Sequence, residues 1–298
     1  MLTLASYRFR NVFEKHGGPI SRLETSESEI AKRRVFQANA YLRTELVPQR
    51  TAKVLYGDAD GTGTASSPLV ARHVAVSEAL ERWAYHTCIR LNDRTRFGLS
   101  ADPSSTGFAA FPGVWERQAR RSAYFEAVER HSTLCWWEGQ IGAVERRTPW
   151  PGVTSWVIWD APGEVAVILH KHCDAGFHVY GRAAAPTFDD ACRHAHVELA
   201  RREYVSRAYW LAHARSFTTP PAATGLLERR SLFFSSPEGY ECCRLRLALQ
   251  PMRRPPRRKL VFDGPIRGPW STYADVWRVL FEPPSQAFLS NDVHYFMI

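Results

Sequence analysis

No apolar run in this 298-residue chain approaches the roughly 20 residues a helix needs to cross a bilayer. The longest, Val165-Ala166-Val167-Ile168-Leu169, has the length of a strand. The N-terminus, with Arg8, Arg10, Glu14 and Lys15, lacks the uninterrupted apolar segment of a secretory signal. The cytoplasm is therefore the expected location. None of the six cysteines (Cys88, Cys135, Cys173, Cys192, Cys242, Cys243) stands in a CxxC pair, so they are expected to be reduced thiols rather than a redox centre. No GxxxxGK[ST] occurs, and Gly61-Thr62-Gly63 is too short for a phosphate-cradling loop. With 45% apolar and 23% charged residues, the composition excludes a disordered tail, a collagen-like fibre and a disulfide miniprotein.

What is present in excess is positive charge, +9 formally. Much of it is local, at Arg253, Arg254, Arg257, Arg258 and Lys259. A basic surplus favours an anionic partner without choosing among nucleotide, nucleic acid and acidic peptide. A solvated Pro-Arg loop is the simpler account of that run. The ten tryptophans are dispersed, and Trp136, Trp137, Trp156 and Trp159 fall in apolar elements where core packing explains them.

The pattern along the chain predicts an α+β protein and a single domain over residues 1–298, with 253–298 hardest to assign. Charged residues spaced through 22–46 predict a helix opening near Thr25 or Ser26. Residues 57–68 read as a Gly/Ser/Thr loop before a helix from Leu69 to about Leu91. A second loop spans Asp93 to Gly113, and a long helix follows over Val114–Trp137. Residues 153–181 contain strand-like runs with a hairpin at Cys173-Asp174-Ala175. A helix from about Thr187 to Ala208 comes next, capped by Thr187 or Asp189. Strands are expected at 242–249 and 259–263, and a short helix at 272–281.

The most informative feature is an internal echo: Glu78-Ala79-Leu80-Glu81-Arg82 returns as Glu126-Ala127-Val128-Glu129-Arg130. The i,i+3 spacing puts both glutamates of each copy on one helix face. Two such helices side by side could aim four carboxylates into one cleft, where their repulsion would favour a hard divalent cation. Arg82 and Arg130 could pair with phosphate oxygens or hold the glutamates. A third helix carries Glu198 with Arg201 and Arg202, a cation standing where the second glutamate would be. A plain structural account also exists, because Glu and Arg are good helix formers that pair across a turn.

Asp102-Pro103-Ser104-Ser105-Thr106-Gly107-Phe108-Ala109-Ala110-Phe111, then Ser122 through His131 with both glutamates, then Trp136-Trp137, resembles the core of YcaO-domain proteins. The earlier helix around Ala75–Trp83 and the later stretch Gly181–Arg202 belong to the same pattern, so the resemblance spans roughly residues 55–205. It implies a YcaO-like fold with a mixed sheet and ATP-dependent activation of a peptide-backbone amide. Cyclodehydration of Cys, Ser or Thr to an azoline is one outcome, and thioamidation another. By position, Glu78, Glu81, Glu126 and Glu129 would hold Mg²⁺ against ATP. Ser122, Arg82, Arg130 and Glu198 would support the nucleotide. No catalytic side chain is assigned. The partner implied is a precursor peptide in ribosomal-peptide biosynthesis, with a separate leader-recognition or accessory protein. A homodimer is left open, and nucleic acid is the disfavoured partner.

The chain departs from the family pattern in places. Val74 stands where the first motif often has Ser, Thr106 where Asn is usual, and Arg201 near an expected Gln. The C-terminal portion reads as shortened and has no Pro-x-Pro-x-Pro tail. A catalytically inactive scaffold binding a peptide or partner enzyme is therefore the alternative. Two further constellations carry less weight: a metal site from His170, His172, Cys173 and His178, and a Cys135–His131 hydrolase pair.

Overall fold

The computed structural model describes residues 11–30, 33–47, 55, 57–89, 92–102, 105–112, 116–213, 225–249 and 257–296. Pro103, Ser104, Arg253 and Arg254 lie outside the described residues. The chain is α+β, with three antiparallel sheets. No helix among the described residues is long and apolar enough to cross a membrane. Two compact units form, the first from described parts of residues 1–50, 58–127 and 260–281, the second from 51–57, 128–259 and 282–298.

In the first unit, the helix expected over 22–46 is instead a hairpin. Strand β1 (Ile20–Ile30) pairs with β2 (Arg33–Leu42), and β3 (Gly61–Ala65) completes the sheet in the order β1-β2-β3. Alternation decides the outcome, since Ala38, Ala40 and Leu42 are buried every second residue. The charges that suggested pairing along a helix pair across strands: Arg34 donates to Glu27 at 2.5 Å and the Tyr41 hydroxyl to Glu24 at 3.0 Å. Helix α1 (Pro68–Cys88) starts with proline in its first turn and lays a stripe of Ala71, Ala75 and Ala79 on this sheet.

The expected loop over 93–113 holds a short helix α2 (Asp93–Phe97) and strand β4 (Thr106–Phe111). A second sheet has the order β4-β10-β9, with β9 at Leu260–Pro265 and β10 at Asp275–Phe281. The helix expected at 272–281 is thus a central strand. Its run of Val276, Val279 and Leu280 is buried, and periodicity alone cannot separate such a strand from a buried helix. Buried Arg278 on β10 forks onto Asp93 at 2.7 and 2.6 Å, and its Nε donates to Thr106 at 2.9 Å. Thr106 thereby has a structural role, donating in turn to the Val279 carbonyl at 3.0 Å.

Helix α3 spans Glu116–Trp137. The second unit contains the sheet β5-β6-β7-β8, from Val144–Arg146, Val153–Ala161, Glu164–His172 and His178–Ala185. The expected strands and the hairpin near Cys173 are present. Helix α4 (Phe188–Ala212) packs on β8 and β7, and its capping Thr187 accepts the Asp190 N–H at 3.2 Å. Residues 242–249, expected as a strand, fall largely in α6 (Pro237–Leu247), which follows α5 (Leu226–Ser235). Ser236-Pro237 is the start signal: the Ser236 hydroxyl accepts the Gly239 N–H at 3.1 Å.

Candidate functional site

Three strand–helix pairs are built alike, and each carries one of the glutamates singled out by sequence. On β3, β4 and β8 a glycine crosses the facing helix so closely that no Cβ fits. A Cβ on Gly61 would lie 2.1 Å from the Ala75 carbonyl oxygen, on Gly107 1.8 Å from that of Ala123, and on Gly181 2.0 Å from that of Ala195. This contact lets a glutamate reach back to the strand. Glu78 on α1 accepts the Thr62 N–H at 2.8 Å and the Thr62 hydroxyl at 3.1 Å. Glu126 on α3 accepts the Phe108 N–H at 2.7 Å, and Glu198 on α4 the Arg182 N–H at 2.8 Å. The donor precedes its glutamate by 16, 18 and 16 residues respectively.

In the first unit these straps bring carboxylates together. Glu81 accepts the Ala110 N–H at 2.7 Å. Its carboxyl is held well above the usual range, first by burial and then by Glu126, with Glu78 adding repulsion; the Ala110 N–H and Arg82 oppose the shift. Arg82 is exposed and lies 3.9 Å from Glu78. Ser122 is exposed one turn before Glu126. Carboxylate oxygens suit a hard cation, which would relieve the Glu81–Glu126 repulsion. Among the described residues, however, no group of three or more His, Cys, Asp or Glu side chains is arranged to hold a metal ion.

In the second unit the chemistry changes sign. Glu198 accepts the Arg202 Nε at 3.1 Å and pairs with its Nη2 at 2.8 Å. Burial pushes the Glu198 carboxyl up, but Arg202, Arg182 and the Arg182 N–H outweigh it and hold it below the usual carboxylate range. Glu129 sits 3.9 Å from the Nε of buried Arg182. Burial pulls the Arg182 guanidinium down, Glu129 and Glu198 push it back up, and Arg202 and Arg130 add to the downward pull. Arg182 is absent from the sequence-based set, although its place directly after Gly181 in the third copy of the pattern is visible in the sequence.

The histidines do converge. His170 Nε2 lies 3.0 Å from His178 Nδ1, His172 stacks on His178, and Tyr240 stacks on His178 with centroids 4.2 Å apart. Burial, with the neighbouring histidines adding to it, pulls His170 down to about 3 and His178 to about 4. Both shifts favour the neutral form of His170 and His178 within the aromatic stack. Cys135 Sγ lies 3.6 Å from His131 Nδ1, but burial pushes the thiol up to about 12 and pulls the imidazole down to about 4, the reverse of a thiolate–imidazolium pair.

No family model matches this chain, and no curated protein matches it. Its fold is similar to that of a chain of the E. coli microcin synthetase McbBCD complex. The TM-score is 0.52 at 10% identity, covering 88% of this chain and 87% of that chain. Against the same complex with pro-MccB17 bound, the TM-score is 0.51 at 13% identity, covering 87% of each chain. At such identities the likeness is one of fold.

Proposed function

We propose that this chain is a YcaO-type protein of peptide-modifying biosynthesis, which uses ATP to activate a backbone amide of a precursor peptide. The observation that carries the reading is the threefold strap. Glu78, Glu126 and Glu198 are each held by the N–H of the residue after a glycine, on the helices that bear the YcaO-like motifs. The fold likeness to a chain of a synthetase complex, one structure of which holds pro-MccB17, supports a peptide substrate and protein partners.

The chemistry proposed is phosphoryl transfer to the amide oxygen. A nucleophile adds to the amide carbon, the oxygen takes the γ-phosphoryl group as ADP departs, and orthophosphate then leaves with that oxygen. Azoline formation and thioamidation differ only in the nucleophile. Catalysis of this kind rests on positioning and charge neutralisation. When bound, Mg²⁺ would neutralise phosphate charge. Glu78, Glu81 and Glu126 are its proposed holders in the first unit, but the described side chains do not close around an ion and no step is routed through it.

The scaffold alternative is favoured by one fact: backbone N–H groups already engage Glu78, Glu81, Glu126 and Glu198. Titration of the full chain with ATP and Mg²⁺ separates the two. Saturable binding that is lost in Glu126→Gln, whose amide oxygen can still accept the Phe108 N–H, supports the enzyme. Absence of binding by the unaltered chain overturns it in favour of the scaffold.

A further inference from the structure

The third strand–helix pair has exchanged acid for base. Where the first two copies place Thr62 and Phe108 after the glycine, the third places Arg182. Where they have Glu81 and Glu129, it has Arg201. Arg182 is 6% exposed, and its Nε and Nη1 are out of contact with water and without a hydrogen-bond partner among the described residues. Glu129 is close enough to attract it, but 3.9 Å is too far for a hydrogen bond. Glu198 is engaged elsewhere, by the Arg182 backbone and the Arg202 side chain. A buried guanidinium with two idle donors is costly unless an acceptor arrives.

We infer that Arg182, with Arg202 and Arg130 as the surrounding cations, forms a subsite for a phosphoryl group, Arg182 donating to its oxygens from Nε and Nη1. The electrostatics agree, because Arg202 and Arg130 both disfavour the charge on Arg182 and a bound anion would offset them. A tetrahedral phosphoryl group carries enough acceptors to meet guanidinium groups from β8, α4 and α3 together, and the planar fork of arginine matches it. Glu129 is the group it would displace. This deepens the ATP reading and rests on it only for the source of the phosphate.

The test is calorimetric titration of the full chain with orthophosphate, ADP and ATP, alongside ATP hydrolysis, for the unaltered protein, Arg182→Gln and Arg182→Lys. Arg182→Gln should weaken phosphate-ligand binding by about tenfold or more, and Arg182→Lys, lacking the fork, should not restore it. Binding of ADP and ATP but not orthophosphate assigns the subsite to the nucleotide. Binding of orthophosphate alone assigns it to the free anion. Arg182-dependent orthophosphate binding without any ATP hydrolysis supports the subsite and removes the ATP reading. Normal hydrolysis and affinity in Arg182→Gln remove the subsite and leave the ATP reading intact. Equal stability losses in Arg182→Gln and Glu129→Gln, recovered in the double variant with unchanged affinity, would make Arg182 and Glu129 a purely structural pair and overturn the proposal.

Discussion

Glu81 and Glu126 repel each other, and that repulsion adds to burial in holding the Glu81 proton. A carboxyl whose folded pKa is raised binds more protons folded than unfolded, so stability falls as pH rises above the ordinary carboxylate value. Glu81→Gln should therefore raise the melting temperature at pH 7 by about 2–4 °C and leave it unchanged near pH 4. Mg²⁺ should raise the melting temperature of the unaltered chain more than that of the variant. Thermal unfolding across pH, with and without Mg²⁺, measures both, and a pH-independent difference would remove the repulsive pair.

The Gly107–Ala123 crossing leaves no room for a methyl group, because its neighbour would be a backbone carbonyl at 1.8 Å. Gly107→Ala should cost roughly 1–3 kcal/mol or more, seen as a lower urea midpoint. Gly181→Ala, facing the Ala195 carbonyl at 2.0 Å, should behave alike. Gly225→Ala, with nothing within 4 Å, is the control and should shift little.

The Asp93–Arg278 fork is buried, so removing one partner strands the other's charge. Asp93→Ala should cost about 3–5 kcal/mol, and replacing both partners with apolar residues should cost much less. A double-mutant cycle by chemical denaturation decides it, with simple additivity counting against the pair.

His170 and His178 carry depressed pKa values, about 3 and 4. A base with a depressed folded pKa binds fewer protons folded than unfolded. Stability is thus full above the unfolded histidine value near 6.5 and is lost as pH falls from there toward 4. His178→Phe, which preserves ring stacking on Tyr240, should flatten this acid slope. Titration of the ring resonances by NMR should show both histidines neutral at pH 6, and a protonated ring there would contradict the stack.

Much of this was legible in advance. The helices carrying Glu78–Arg82, Glu126–Arg130 and Glu198–Arg202 were readable from apolar spacing, as were the strands around Val165–Leu169. The β1–β2 hairpin was not, because Glu24, Glu27 and Arg34 pair as readily across strands as along a helix, and the alternation of Ala38, Ala40 and Leu42 covers only a few residues. Strand β10 was hidden because both its faces are buried, so Val276, Val279 and Leu280 show no alternation with exposed polar residues and even Arg278 between them is buried. Arg182 was missed because side-chain spacing says nothing about a donor left idle.

The order of residues alone established which carboxylates share a helix face and that the acidic motif occurs twice, since helical pitch follows from local backbone sterics. Only tertiary structure decided what those carboxylates meet. Which glycine lies under which helix depends on how strands and helices pack across long separations, and that packing delivers the N–H groups of Thr62, Phe108 and Arg182 to Glu78, Glu126 and Glu198. The same packing buries Arg182 beside Glu129 without bringing them to bonding distance.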